Sequence, residues 1–211
     1  MDILEELSAS LEAGDTAAVT RLTTEAVAQG LAPEIITGHG LVAGMNVVGQ
    51  KFKAHEIFLP DVLLAARAMH AAMEILKPHL VGKQLPTAGK VVIGTVQGDL
   101  HDIGKNLVSI MLRGAGFEVI DLGKDVAPER FVDEAEKTGA DAIGMSALLT
   151  TTMPMMKEVV ALAKKRGLYG KTRILVGGAP LTAEYAEEIG ADAYCFDGTS
   201  AVDRMREFAG G

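Results

Sequence analysis

Two hydrophobic periods run along this chain, and one gives way to the other near Lys90. Before it, apolar positions recur every three to four residues, the spacing of a helix with one buried face. The pattern predicts a first helix over roughly Asp2 to Glu12, ending at Gly14. A second runs from an Asp15 N-cap to Gln29 and stops at Gly30. Pro33 suits a first turn and opens a third helix to about Phe52. Phe58-Leu59-Pro60-Asp61 opens a fourth, in which Val62, Leu63, Ala66, Met69, Met73 and Leu76 form an apolar stripe. Four helices with short connections predict an antiparallel bundle. Gly38, Gly40, Gly44 and Gly49 inside the third helix each cost roughly 1 kcal/mol against alanine. Close helix packing is one account of them; room for a bulky neighbour is the other.

Beyond Lys90, short apolar runs alternate with helical patterns. Strands are expected at Val91–Thr95, Glu118–Leu122, Ala142–Met145, Arg173–Val176 and Ala193–Phe196. Helices are expected at Ile103–Arg113, Pro128–Lys137, Met153–Arg166, Thr182–Ile189 and Ala201–Phe208. The alternation predicts a flavodoxin/Rossmann-like, doubly wound parallel sheet of five strands, and its length suits the order 2-1-3-4-5. Pro78 to Lys90, with Gly82, Pro86 and Gly89, reads as a linker. The expected organisation is a helical bundle cap over residues 1–81, a linker over 82–89 and a Rossmann-like domain over 90–211.

That sheet order locates a ligand beyond the carboxyl ends of strands 1 and 3, where the winding direction reverses. The segments there carry unusual residues. Gly98-Asp99-Leu100-His101-Asp102-Ile103-Gly104 follows strand 1, Ser146 to Thr152 follows strand 3, and Gly177-Gly178-Ala179-Pro180 follows strand 4.

Composition narrows what a site there can hold. A net charge of −8 with no basic stripe argues against nucleic acid. No run of about 20 apolar residues is present to span a bilayer, and the acidic, helical start is no secretory signal. A cytoplasmic protein is expected. The single cysteine, Cys195, excludes an internal disulfide and a cysteine zinc cage; in its apolar segment it reads as a small buried hydrophobe.

Spacing removes several chemistries. Gly98 and Gly104 enclose five residues and Asn106 follows Lys105, so no phosphate-binding P-loop is present. No G-x-G-x-x-G follows strand 1. Ser146 stands where a phosphate-accepting receiver domain carries aspartate, and it lies outside a G-x-S-x-G elbow. What remains is His101 with a carboxylate two residues before it. A carboxylate on one ring nitrogen fixes the tautomer and raises the basicity of the other, as a metal-binding histidine requires. One histidine is too few ligands for a bare ion, but it suffices for a metal already held in a macrocycle.

Asp99-x-His101-x-x-Gly104, Ser146-x-Leu148 and Gly177-Gly178 together resemble the cobalamin-binding signature of corrinoid proteins and methionine synthase. The pattern Phe52…Phe58-Leu59-Pro60…Ala66…Met69 resembles the cap of the same family. The likeness covers essentially the whole chain from about Leu4, and its layout is most similar to the small corrinoid proteins of three-component methyltransferase systems. It implies a bound cobalamin or related corrinoid whose cobalt takes His101 as lower axial ligand, with the cofactor's own base displaced into the sheet domain. Asp99 would hold the far ring nitrogen and Thr152, where methionine synthase has serine, would complete the relay. Gly98, Leu100, Asp102 and Ile103 fall within the binding loop. Ser146 and Thr150 would meet the nucleotide tail, Leu148 would also contact the cofactor, and Gly104, Gly177 and Gly178 would leave the tail room. Phe58, Leu59, Val62 and Met69 would cover the upper face, although such a stripe also suits a bundle core.

The implied function is a carrier that shuttles a methyl group as methyl-Co(III)/Co(I). Its partners would be a substrate:corrinoid methyltransferase, a corrinoid:acceptor methyltransferase serving tetrahydrofolate or a thiol, and a reductive activase. Release of His101 would let the His101–Asp99 pair take up a proton, and the segment Gly82–Gly89 would hinge the cap. Nothing in the chain looks able to activate a methyl donor by itself. The alternatives are an adenosylcobalamin-dependent mutase subunit, which would not be expected to carry this cap, and a cobalamin-binding regulatory protein, which would add a further domain. A remnant that binds no cofactor is the third.

Overall fold

The computed structural model describes residues 2–80 and 87–210. It divides into two compact units, Met1–Thr87 with Gly114–Gly116, and Ala88–Arg113 with Phe117–Gly211. Most of the expected linker and hinge, residues 82–86, lies outside the described residues.

In the helical unit, α1 (Ile3–Glu12) and α2 (Thr16–Ala28) form where the pattern places them, with the Asp15 carboxylate accepting the Ala18 N–H at 3.0 Å. The third helix departs from a uniform α-helix. It begins as α3 (Pro33–Ile35), widens into a π-helical segment over Ile36–Val42, and resumes as α4 (Ala43–Lys53). Two of its glycines are there for packing. A Cβ on Gly40 would stand 2.6 Å from Leu7 Cδ2, and one on Gly44 would stand 2.8 Å from the Ser8 carbonyl. Gly38 and Gly49 have nothing within 4 Å, so packing does not account for them. Helix α5 (Leu59–Leu76) starts at Phe58, whose N–H donates to the Asp61 carboxylate at 2.8 Å. Leu7, Leu11, Val19, Leu22, Ile36, Leu41, Val62, Ala65, Ala68 and Leu76 are buried in this part of the chain.

The second unit is a five-stranded parallel sheet. It comprises β1 (Lys90–Thr95), β2 (Glu118–Asp121), β3 (Ala142–Ser146), β4 (Arg173–Gly177) and β5 (Ala193–Cys195). The strand order is β2-β1-β3-β4-β5, as the alternation predicts. Helices α6 (Ile103–Gly114), α7 (Pro128–Thr138), α8 (Pro154–Lys165), α9 (Ala183–Ile189) and α10 (Gly198–Ala209) connect and cover the strands. The central strands are buried almost throughout because both faces are covered.

Those two faces differ. Val92, Ile143, Met145, Ile174 and Val176 join Phe131, Val132 and Ala135 of α7, Met156, Val159 and Val160 of α8, and Ala186 and Ile189 of α9 in one apolar cluster. Alternation turns their neighbours to the other side. There, register aligns Ile93, Gly144, Leu175 and Ala193, and one step nearer the carboxyl edge Thr95, Ser146, Gly177 and Cys195. Both rows are rich in small side chains. Helices α6 and α10 meet closely: a Cβ on Gly198 would lie 2.5 Å from Met111 Sδ.

Candidate functional site

The site starts where β1 ends. Val96 continues the sheet through its N–H to the Ser146 carbonyl, at 3.0 Å, and a bridge to Val126. The chain then turns at Gly98, whose φ of +83° is glycine's region. The turn closes with the Asp99 N–H donating to the Val96 carbonyl at 3.1 Å.

Asp99 is fully buried, and donors surround its carboxylate. Oδ1 accepts the backbone N–H of His101 at 3.0 Å, and it stands 2.8 Å from His101 Nδ1. Oδ2 accepts the N–H groups of Leu148 at 2.7 Å and Leu149 at 3.1 Å, and lies 3.0 Å from the Thr152 hydroxyl. That hydroxyl is also 2.9 Å from the Leu149 carbonyl, so its one proton has two acceptors within reach. Burial opposes ionisation of Asp99. The backbone N–H groups of His101 and Leu148, the His101 ring and the Thr152 hydroxyl outweigh it and hold the carboxyl well below the usual carboxylate range.

An ionised carboxylate only accepts, so His101 Nδ1 carries a proton and donates it, and in the neutral ring Nε2 is the nitrogen with the lone pair. The ring is half exposed, and Nε2 makes no hydrogen bond among the described residues. The two side chains meet because Asp99 folds an Asx turn onto the His101 N–H, a tighter device than the extended loop their spacing suggests. Among the described residues no group of three or more His, Cys, Asp or Glu side chains is placed to hold a metal ion. The donor set therefore suits a metal that brings its other ligands with it.

Large apolar side chains with little cover stand in the segments that follow β1, β3 and β5. Leu100 is 62% exposed and Ile103 78%, and Leu148, Leu149 and Phe196 are exposed as well. A flat apolar macrocycle fits such a rim. Asp102 opens α6 through its carbonyl, which accepts the Asn106 N–H at 2.8 Å. Two residues on, a Cβ at Gly104 would meet nothing within 4 Å. Space is open at that helix start, and the small residues Ser146, Gly177 and Cys195 stand in register across the sheet, so no bulky side chain fills that row. The glycines at 177 and 178 also have a reason within the protein. Their Cβ atoms would lie 2.8 Å from the Cys195 carbonyl and 1.9 Å from the Ala147 carbonyl. Ser146 is half-buried at the end of β3, and Thr150 is exposed on the following turn. Cys195 is buried, and desolvation pushes its thiol up to about 12, which keeps it an inert small hydrophobe.

The cap candidates belong to the helical unit. Phe58 is exposed at the start of α5, Leu59 and Met69 are half-buried, and Val62 has no accessible surface. The sequence pattern missed three participants: the N–H groups of Leu148 and Leu149, the aspartate Asp125, and the ion pair of buried Lys105 with Asp121. Backbone donors have no residue signature. Lys105 carried one, a lysine inside the apolar periodicity of α6, and its partner Asp121 closes β2.

No described helix is long and apolar enough to cross a membrane. Residues 89–206 match the B12 binding domain family, and residues 3–77 match a second B12 binding domain family. The chain is 42% identical to a corrinoid protein of Desulfitobacterium hafniense, over 100% of its own length and 99% of the relative's. It is 43% identical to dimethylamine corrinoid protein 1 of Methanosarcina acetivorans, over 98% and 97% of the two chains. Among solved structures, it is similar to the methanol:cobalamin methyltransferase complex of Methanosarcina barkeri. The TM-score is 0.92 at 29% identity, with 100% of this chain and 80% of that one covered.

Proposed function

The chain belongs to the family of B12-binding corrinoid proteins, and from that premise we propose that it carries a methyl group between methyltransferases on a bound corrinoid. The observation that carries the reading is the His101–Asp99–Thr152 chain: a proton on Nδ1, a buried carboxylate behind it, and a free, half-exposed Nε2. When bound, the corrinoid supplies a cobalt that accepts and releases the methyl group. The protein's own residues hold and tune it. His101 Nε2 would hold the cobalt, and Asp99 would fix the ring's tautomer and orientation. Thr152 and the N–H groups of Leu148 and Leu149 keep Asp99 ionised. Asp99 would hold the Nδ1 proton and leave Nε2 turned away from the carboxylate.

Leu100, Ile103, Leu148 and Leu149 would exclude water beneath the ring, and Ser146, Thr150, Gly104, Gly177 and Gly178 would receive the nucleotide tail. Phe58, Leu59 and Met69 are the residues of the helical unit proposed to meet the cofactor. One partner is a methyltransferase that loads the corrinoid; a second would unload it to tetrahydrofolate or a thiol, and an activase would restore the reduced cobalt. The solved relative that is a methanol:cobalamin methyltransferase complex supports the first of these. The family membership of both units favours the carrier over a mutase subunit or a regulator.

The test is loading. Mixed with methylcobalamin, the protein should retain one equivalent through gel filtration and keep the methyl group when tetrahydrofolate or a thiol is added alone. It should lose that group only with a partner methyltransferase present. Failure to retain any corrinoid would refute the reading.

A further inference from the structure

We propose that the loop between β2 and α7, Asp121 to Asp125, is a clamp that fixes His101 in place, with Asp125 as a positioning residue for Nε2. The proposal rests on the corrinoid-binding reading above. The loop grips the segment around the histidine at three points. Upstream, Asp125 Oδ1 accepts the Gly98 N–H at 2.7 Å, and the Asp125 N–H donates to the Asp99 carbonyl at 3.1 Å. At the strand end, the Gly123 carbonyl accepts the Thr95 N–H at 3.0 Å, and the Thr95 hydroxyl donates to the His101 carbonyl at 3.1 Å. Downstream, Lys105 Nζ donates to both oxygens of Asp121, at 2.7 and 2.6 Å, and to Asn106 Oδ1 at 2.7 Å. Lys105 is only 2% exposed, whereas Asp121 keeps solvent contact at the end of β2.

The loop is itself held in shape. Asp121 Oδ1 accepts the Gly123 N–H at 2.9 Å, and Val126 bridges to Val96. Asp125 adopts φ +56°, a left-handed conformation that a non-glycine residue seldom takes and that aspartate and asparagine tolerate best. The two hydrogen bonds to Gly98 and Asp99 offset that cost. The consequence for the ligand is direct. The carboxylate of Asp99 is fixed by Leu148 and Leu149, but the backbone from which it projects is fixed by Val96 and Asp125. Because Asp99 Oδ1 holds both the N–H and the ring of His101, the position of Asp99 sets the direction of Nε2.

The experiment uses the full chain reconstituted with cobalamin, with affinity read from the visible spectrum and axial ligation from the electron paramagnetic resonance of Co(II). Asp125→Gly keeps the left-handed backbone at no steric cost and deletes the acceptor; Asp125→Asn keeps an acceptor. Asp125→Gly should weaken cobalamin binding about tenfold, the scale of a lost partner behind a metal ligand, and lower the share of imidazole-ligated Co(II). Asp125→Asn should restore both. In the His101→Ala background, Asp125→Gly should cause no further loss, because no ring is left to position. The clamp is overturned if Asp125→Gly binds as the parent does, if its loss is equal in both backgrounds, or if Asp125→Asn fails to restore binding. Should Asp125→Gly not fold, Thr95→Val, which deletes the bond to the His101 carbonyl, carries the same comparison. If His101→Ala leaves ligation unchanged, the corrinoid-ligand reading fails and the clamp with it; if only the Asp125 variants are silent, the clamp alone fails.

Discussion

Under helices α7 to α9 the sheet buries apolar side chains in one continuous cluster, whereas at its carboxyl edge the usual arrangement is reversed. At that edge the groups hidden from water are Thr95, Asp99, Lys105 and Thr152, while Leu100, Ile103, Leu148, Leu149 and Phe196 face solvent. Buried polar groups are tolerated only with partners, and here they have them: Asp99 has five donors close to its two oxygens, and Lys105 has Asp121. An apolar rim left open to water gains nothing for the chain alone. One region is organised for folding; the other keeps apolar surface that folding does not use.

Paired substitutions separate the two regions. Phe131→Ala, inside the cluster, should cost about 4 kcal/mol in urea unfolding. Ile103→Ala, at the rim, should change apo stability by less than about 0.5 kcal/mol. The same change should weaken cobalamin binding by roughly tenfold, the effect of burying one large apolar side chain under a ligand. A rim residue that matters to the apo protein and not to binding would dissolve the contrast.

Asp99 sharpens it through pH. Its carboxyl is held below the ordinary range, so its ionisation adds stability that is fully present above about pH 4 to 5 and fades as pH falls through the ordinary carboxylate value toward the native one. Asp99→Asn should therefore cost about 2 kcal/mol at neutral pH, and the gap from the parent should narrow below about pH 4. Unfolding curves between pH 3 and 7 decide it; a gap that stays constant to pH 3 would show that the charge is not what the site stabilises.

Much of this was readable before any coordinates. The parallel sheet followed from the alternation of short apolar runs with helical periods, because parallel strands need crossovers, and the domain's length suited the order found. The pairing of Asp99 with His101 followed from their separation of two residues, although the Asx turn that achieves it did not. Sequence could not reveal that Gly40 and Gly44 are required by α1, or that Gly178 is required by the Ala147 carbonyl, because each reason lies in an atom distant along the chain. The π-helical segment at Ile36–Val42 was equally hidden: its residues have the ordinary apolar spacing. Asp125 was invisible for a related reason, since its role depends on a backbone conformation and on N–H and carbonyl groups that every residue carries.

The most direct measurement of the central claim is the electron paramagnetic resonance spectrum of the Co(II) form, prepared from uniformly nitrogen-15-labelled protein and unlabelled cobalamin. If His101 Nε2 is the axial donor, each cobalt line should split into a doublet from the labelled ring nitrogen, and His101→Gly should abolish it. A triplet, which only the cofactor's own unlabelled base can produce, or no nitrogen splitting at all would contradict the account.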